Sequence, residues 1–480
     1  MSRSAPNRWA VLAVLALAQF MVVLDVTIVN VALPDIQRSL GFSAEDLQWV
    51  VSAYTLTFGG FLLLGGRAAD LLGRRSVFLA GLGLFTVSSL AAGLAPSPGA
   101  LTAARAVQGL GGALLSPAAL SILTVTFPHG RERNIALGLW GALAGLGGTL
   151  GVIAGGVLVD ALGWEAVFFV NVPIGALLIA ATPLLVGESR VERAPGARRE
   201  FDAAGAVLGT AGLLALVYGV IRAEPLGFGS AEVLGLFGAA VALLAAFLAV
   251  EARSSAPLVP LRLFRIASLR TASPALALNG AAFLAMFFLT AIFLQQVRGD
   301  SALDAGLHFL PMGIAAVAGA TIASTLVTRI GTRPVHVGGA LLSAAGLLLL
   351  ARAGGEAAYA SDLLPGFLLF GVGITGVGVS NQIAAISEVR HEEAGAASGL
   401  VTAAFQVGGA LGLAVVTTLA NSRASDALAA GATQHAALVD AYHRGLLVAA
   451  LLAVANVGVG LLSRQVEPAP EALQQAQAAA

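Results

Sequence analysis

The 480-residue chain has no cysteine and no lysine, and only 11% of its residues are charged. Without cysteine there are no disulfides, no thiolate metal ligands and no cysteine nucleophile. Without lysine there is no phosphate-cradle lysine, which argues against ATP as an energy source. The six histidines, His129, His308, His336, His391, His435 and His443, are scattered without metal-ligand spacing. The 26 basic and 26 acidic residues cancel, so nothing recommends nucleic acid as a partner. What remains is apolar: 58% of residues are hydrophobic and the mean hydropathy is +0.88. Repeated apolar runs of about twenty residues are read as transmembrane helices, which makes this an all-α integral membrane protein.

Spans are expected at 9–33, 46–66, 77–95, 99–121, 135–158, 167–187, 203–222, 231–251, 270–296, 305–327, 335–353, 363–386, 396–420 and 442–464. The first has a short basic flank (Arg3, Arg8) but no small-residue cleavage site, and is read as a retained helix. With the N-terminus in the cytoplasm, roughly nineteen arginines fall on cytoplasmic segments and about six outside. Both termini are therefore expected in the cytoplasm. The segments 188–202, 252–269 and 465–480 read as cytoplasmic linkers and a disordered tail, none large enough for a catalytic domain.

Against this background two charges stand out. Asp25 lies within span 1 and Arg105 within span 4. A charge near a bilayer centre costs roughly 2.5–3.5 kcal/mol on insertion scales, and such residues face a protein interior or a water-filled path. Asp25 sits about 8 residues, or roughly 12 Å, from the outer end of its span, and Arg105 about 6 residues, or roughly 9 Å, from that of its own. If spans 1 and 4 are neighbours, the two charges meet. Burial favours a neutral carboxyl, a nearby guanidinium an ionised one, and that competition lets conformation or cargo decide when a proton leaves. Arg105 keeps its own proton and acts as a fixed charge. Thr27, Asn30 and Gln108 are candidates to orient the pair, or simply to bond between helices. A permanent structural ion pair is the alternative to a proton-coupling one.

The chain also repeats itself. The junction of spans 2 and 3, Gly66-Arg-Ala-Ala-Asp-Leu-Leu-Gly-Arg-Arg75, aligns with Ser324 to Arg333, placing Gly73 over Gly331 and Arg75 over Arg333. Gly147-Gly-Thr-Leu-Gly aligns with Gly408-Gly-Ala-Leu-Gly. Spans 1–6 and 9–14 thus read as two copies of a six-helix unit, 1–187 and 270–464, with spans 7 and 8 (203–251) as an inserted hairpin. Repeats with a site near the midplane are the architecture of secondary transporters. The position matching Arg105 is Phe367, and the second half has no acid deep in a span, so charge chemistry is assigned to the first half. The second half is expected to wall an apolar cargo, with Phe287, Phe288, Gln295, Asn381 and Gln406 as candidate contacts.

Four stretches resemble the major facilitator superfamily, and within it the fourteen-span drug:proton antiporters. They are Leu24-Asp-Val-Thr-Ile-Val-Asn-Val-Ala-Leu-Pro34, Gly66 to Arg75, Arg105-Ala-Val-Gln-Gly109, and Gly147-Gly-Thr-Leu-Gly-Val-Ile-Ala-Gly-Gly156. Trp164, Phe168, Asn171, Pro173 and Gly175 add a likeness in span 6. Ala68, Leu71 and Val152 stand where the family usually has leucine, arginine and proline. The resemblance implies a major facilitator fold and a cytoplasmic gate built from Gly66, Asp70, Gly73, Arg74 and Arg75. Physically, Asp70 can accept from a neighbouring helix N-terminus or from Arg74. The span 5 glycines, Gly141, Gly145, Gly147, Gly148, Gly151, Gly155 and Gly156, permit close packing and are expected at a sliding or sealing surface between the halves, with ordinary small-residue packing as the alternative for any one of them.

The expected activity is proton-coupled efflux of small hydrophobic or amphipathic compounds, such as drugs and antibiotics. The resemblance and an alanine-rich composition place it in a bacterial cytoplasmic membrane. No cofactor is expected beyond the proton gradient, a monomer is expected, and no nucleophile–base constellation marks an enzyme. A symporter or facilitator importing a metabolite fits the same fold. A receptor that binds without transporting is the alternative of another class.

Overall fold

A computed structural model describes residues 7–47, 49–127, 131–189, 202–254, 257, 259, 261–390 and 393–465. Its long helices are numbered here in chain order: α1 Arg8–Leu40, α2 Trp49–Leu72, α3 Arg74–Gly93, α4 Pro98–Thr126, α5 Arg131–Leu162 and α6 Ala166–Leu185. There follow α7 Ala203–Leu226, α8 Ala231–Glu251, α9 Ala267–Val297, α10 Ala302–Ile330, α11 Thr332–Leu350, α12 Tyr359–Ser387, α13 Ala394–Ala429 and α14 Gln434–Leu462. All but α5 are long and apolar enough, among the described residues, to cross a membrane. Helix α5 covers the span expected at 135–158, but the side chains at 141, 142, 144–146, 149 and 152 lie outside the described residues, and with them Gly141, Gly145 and Val152. The linker 190–201 and the tail 466–480 also lie outside them.

Polar residues at the ends set these boundaries. Asn7, Ser97, Ser230, Ser301 and Thr433 each accept a backbone N–H in the first turn of the helix they precede. Pro98 opens α4, where a missing N–H costs nothing. Helix α1 runs seven residues past the expected end, through Pro34, and stops where Gly41 turns left-handed at φ 70°. Helix α13 continues to Ala429 rather than stopping near 420.

The chain forms two compact units. The first comprises Met1–Pro128, Gly151–Ile266 and Val389–Ala403; the second comprises His129–Leu150, Ala267–Glu388 and Ala404–Ala480.

In the first unit α4 is the central helix, and glycine lets its neighbours close on it. A methyl at Gly81 of α3 would lie 2.7 Å from the Leu115 nitrogen and 2.9 Å from the Gly111 carbonyl of α4. A methyl at Gly65 of α2 would overlap the Ala113 carbonyl. Gly151 and Gly155 of α5 pack on α1, where a methyl at 151 would overlap the Thr27 hydroxyl. These two glycines therefore seat α5 on the stretch of α1 that carries Asp25. The hairpin α7–α8 belongs to this unit and lies against α2 through Val217, Leu214 and a Trp49–Tyr218 ring contact of 5.9 Å.

The second unit repeats local features of the first. Gly73 (φ 108°) and Gly331 (φ 83°) occupy the same place, between α2 and α3 and between α10 and α11. Gly412 of α13 abuts Ala281 of α9, as Gly151 abuts α1. Its core is aromatic: Phe287, Phe309 and Phe367 contact in series at 4.6 and 5.3 Å, with Phe293 stacked on Tyr442 at 4.2 Å.

Candidate functional site

Asp25 and Arg105 meet. Arg105 Nη1 lies 2.6 Å from Asp25 Oδ2, and the two residues are 1% and 0% exposed. Two more donors complete the carboxylate's surroundings: Gln108 Nε2 donates to Oδ1 at 2.7 Å and Asn171 Nδ2 to the same oxygen at 2.9 Å. Three N–H donors thus converge on one carboxyl group. Arg105 is held independently of Asp25. Its Nε donates to the Val50 carbonyl at 2.9 Å, its Nη1 to Gln108 Oε1 at 2.6 Å, and its guanidinium carbon sits 4.4 Å from the Tyr54 ring centre. Gln108 is anchored in turn on Ser89 Oγ at 2.8 Å. Five helices thus contribute: α1, α2, α3, α4 and α6.

The cluster keeps unused polar capacity. The Tyr54 hydroxyl and Asn171 Oδ1 are buried without a hydrogen-bond partner. Buried polar groups are nearly always paired, so two orphans beside a buried acid call for a functional explanation.

Thr27 and Asn30 also bond to the backbone of α1. Thr27 donates to the Leu24 carbonyl at 3.0 Å and Asn30 to the Val26 carbonyl at 3.0 Å, both along their own helix. Asn171, Ser89 and the Val50 carbonyl are the partners that sequence reasoning missed. Asn171 already stood among the span 6 likenesses, three residues after Phe168, whose ring lies 5.8 Å from the Arg105 guanidinium.

The α2–α3 junction forms a second polar site. Asp70 Oδ1 accepts from Arg74 Nη2 at 3.1 Å, and Oδ2 accepts the Ala396 backbone N–H at 3.0 Å. That N–H lies in the first turn of α13, where backbone donors have no helical acceptor and an anion is favoured. Arg74 Nε also donates to Ser121 Oγ at 2.7 Å, so the pair is buried on both sides. Gly66 and Gly399 face each other where α2 meets α13: a methyl at Gly399 would lie 3.5 Å from the Gly66 Cα, in ordinary contact. Arg75 does not join Asp70. It faces Glu188, whose carboxylate accepts the Arg75 and Ser76 N–H groups at 3.2 Å each and so caps α3.

The five candidate cargo contacts are not gathered. Phe287 lies in the aromatic series, Phe288 and Gln295 are exposed, Asn381 donates to its own helix at Val377, and Gln406 is half-buried. Among the described residues, no hydrogen bond or ring contact joins the five to one another. Phe367, the counterpart of Arg105, is a fully buried core residue.

Residues 15–413 match the Major Facilitator Superfamily. The puromycin resistance protein pur8 of Streptomyces alboniger is 40% identical over 466 residues, covering 95% of this chain and 90% of that protein. The cephamycin export protein CmcT of Amycolatopsis lactamdurans is 42% identical over 412 residues, covering 85% of this chain and 84% of that protein. Among solved structures, the human organic anion transporter MFSD10 superposes with a TM-score of 0.69 at 16% identity, covering 95% of this chain and 100% of that one, a likeness of fold. With its many apolar helices and a match covering most of its length, the chain belongs to the Major Facilitator Superfamily.

Proposed function

We propose that this protein exports small hydrophobic or amphipathic compounds in exchange for protons, and that Asp25 carries the proton. The observation that carries the reading is the buried Asp25 carboxylate with Arg105, Gln108 and Asn171 converging on it. Relatives named for puromycin resistance and cephamycin export support the outward direction and the cargo class.

The chemistry follows from which bonds survive protonation. A neutral Asp25 gives up its ionic bond to Arg105, yet Arg105 keeps the Val50 carbonyl, Gln108 Oε1 and the Tyr54 ring face. The protonated carboxyl needs an acceptor for its O–H, and the unpaired Asn171 oxygen belongs to a residue already in contact with it. Proton loading is thus an exchange of partners within one cluster. The packing of Gly151 against α1 links that exchange to the position of α5.

In this reading, rocking of 1–187 against 270–464 alternates access to the cluster. Protonation from outside favours the return to the inward-facing state; deprotonation toward the cytoplasm there frees the cluster for cargo capture, so proton and cargo occupy the protein alternately. Asp70 is the gate residue, because its bond to the Ala396 N–H ties α2 to the start of α13 and must break when that end opens.

The test is uptake into inverted vesicles under an imposed pH gradient, with puromycin and a cephamycin as probe compounds. Gradient-driven accumulation that collapses with a protonophore is expected. Accumulation indifferent to the gradient, or counterflow only in the importing direction, overturns the proposal.

A further inference from the structure

Away from the acid–base cluster, a groove of about 500 Å³ opens where α13 and α14 approach the turn that joins them. Six of its lining residues form a pattern. Read toward the turn, α13 presents Leu419, Arg423 and Asp426, and α14 presents Leu447, Arg444 and Asp440. Two antiparallel helices thus carry the same ladder: leucine, then arginine, then aspartate. At helical rise, leucine and arginine are separated by about 6 Å on α13 and about 4.5 Å on α14, and arginine and aspartate by about 4.5 Å and about 6 Å. The ladder is roughly 10 Å deep, close to the 5–8 Å of one polar band of a bilayer plus the hydrocarbon edge.

The leucines are 38% and 46% exposed, so they present apolar surface one turn inside the charged layer. Arg423 and Asp440 pair across the helices at 2.9 Å. Arg444 and Asp426 make no ion pair among the described residues, and both are exposed. The groove therefore offers one uncommitted cation at the inner level and one uncommitted anion at the outer level. A phospholipid with an amine headgroup presents the complementary order along the same axis: acyl chain, phosphate, ammonium.

We propose that this groove binds the headgroup of a zwitterionic phospholipid bearing a primary ammonium. Arg444, beside Arg423, takes the phosphate; a guanidinium fork matches phosphate oxygens. Asp426 takes the ammonium, accepting N–H bonds that a quaternary amine does not possess. The two carboxylates at the outer level disfavour a purely anionic headgroup.

The test uses the full chain in detergent, offered lipids with identical acyl chains and ethanolamine, choline or glycerol headgroups, with retained lipid counted by native mass spectrometry. The wild type is expected to prefer ethanolamine over choline about two- to five-fold, the scale of one exposed ion pair. Asp426→Asn should bring that ratio to one with choline lipid retained as before. Arg444→Gln should lower retention of both and keep the ratio. Both side chains are exposed, and unchanged thermal unfolding confirms that the variants fold. A wild-type ratio of one, or an unchanged ratio in Asp426→Asn, overturns the proposal. So does displacement of the lipid by an equal concentration of soluble glycerophosphoethanolamine, which makes the free headgroup the ligand.

Discussion

Replacing Asp25 by asparagine removes the proposed proton site while keeping its shape, and the structure gives the consequence. The amide oxygen can still accept from Gln108 and Asn171, which approach Oδ1 at 2.7 and 2.9 Å. The new NH2 group meets Arg105 Nη1 where 2.6 Å separated charge from countercharge, donor against donor. Leaving one member of a buried pair uncompensated costs about 3–5 kcal/mol. Arg105 retains the Val50 carbonyl, Gln108 Oε1 and the Tyr54 ring, so the loss should fall at the low end, near ~3 kcal/mol. A second variant, Asp25→Asn with Arg105→Met, removes both charges; neutral replacement of a buried pair is often neutral or stabilising. Thermal unfolding in detergent should rank the double variant with the wild type and the single variant below both. Transport should not follow that ranking. Gradient-driven uptake in inverted vesicles should fall to background in both variants, whereas counterflow, which needs no net proton movement, should persist in the double variant. Wild-type driven uptake in the double variant would refute the reasoning and make the pair a structural bond.

Three further outcomes are expected. Asp70→Asn weakens the tie to Ala396 and Arg74; because the chain has no native cysteine, a single cysteine at Ser398, buried beside this contact, reports it directly, and its labelling should speed up while transport slows. Unchanged labelling would remove Asp70 from the gate. Gly151→Ala places a methyl onto Thr27 and should cost about 1–3 kcal/mol, read as a lowered unfolding midpoint, while Gly148→Ala, with open space around it, should leave that midpoint where it was. Glu188→Gln keeps only one of the two oxygens that accept the Arg75 and Ser76 N–H groups, turns the other into a donor and removes the charge at the α3 N-terminus, so it should destabilise by roughly 0.5–2 kcal/mol, part of it lost at high salt.

Hydropathy marked the spans because long apolar runs have few places to go. The ends were less legible. Helix α1 passes through Pro34 to Gly41, and α13 carries Asn421, Arg423 and Asp426 within its last turns. Polar residues remain helical where a helix leaves the hydrocarbon, and hydropathy does not register them. Gln108 was readable as a partner of Arg105 because three residues apart on a helix share a face. Two and five residues from Asp25, Thr27 and Asn30 lie on other faces of α1, and both donate to that helix's own carbonyls. Asn171 and the Val50 carbonyl come from helices whose adjacency no local pattern encodes, and a backbone carbonyl carries no sequence signal at all. The pairing of Asp70 with a helix N-terminus could be anticipated as chemistry, but its partner at Ala396, 326 residues away, is fixed by tertiary packing. Cargo contacts were the least legible, since aromatic and amide side chains in a second-half helix serve core packing as readily as recognition.

Proton release on cargo binding is the most direct measurement. Purified protein in weakly buffered detergent solution, with a pH-indicator dye, is loaded with a transported compound. The account predicts that the wild type releases protons in proportion to bound compound and that Asp25→Asn binds the compound and releases none. Equal release from both would contradict it.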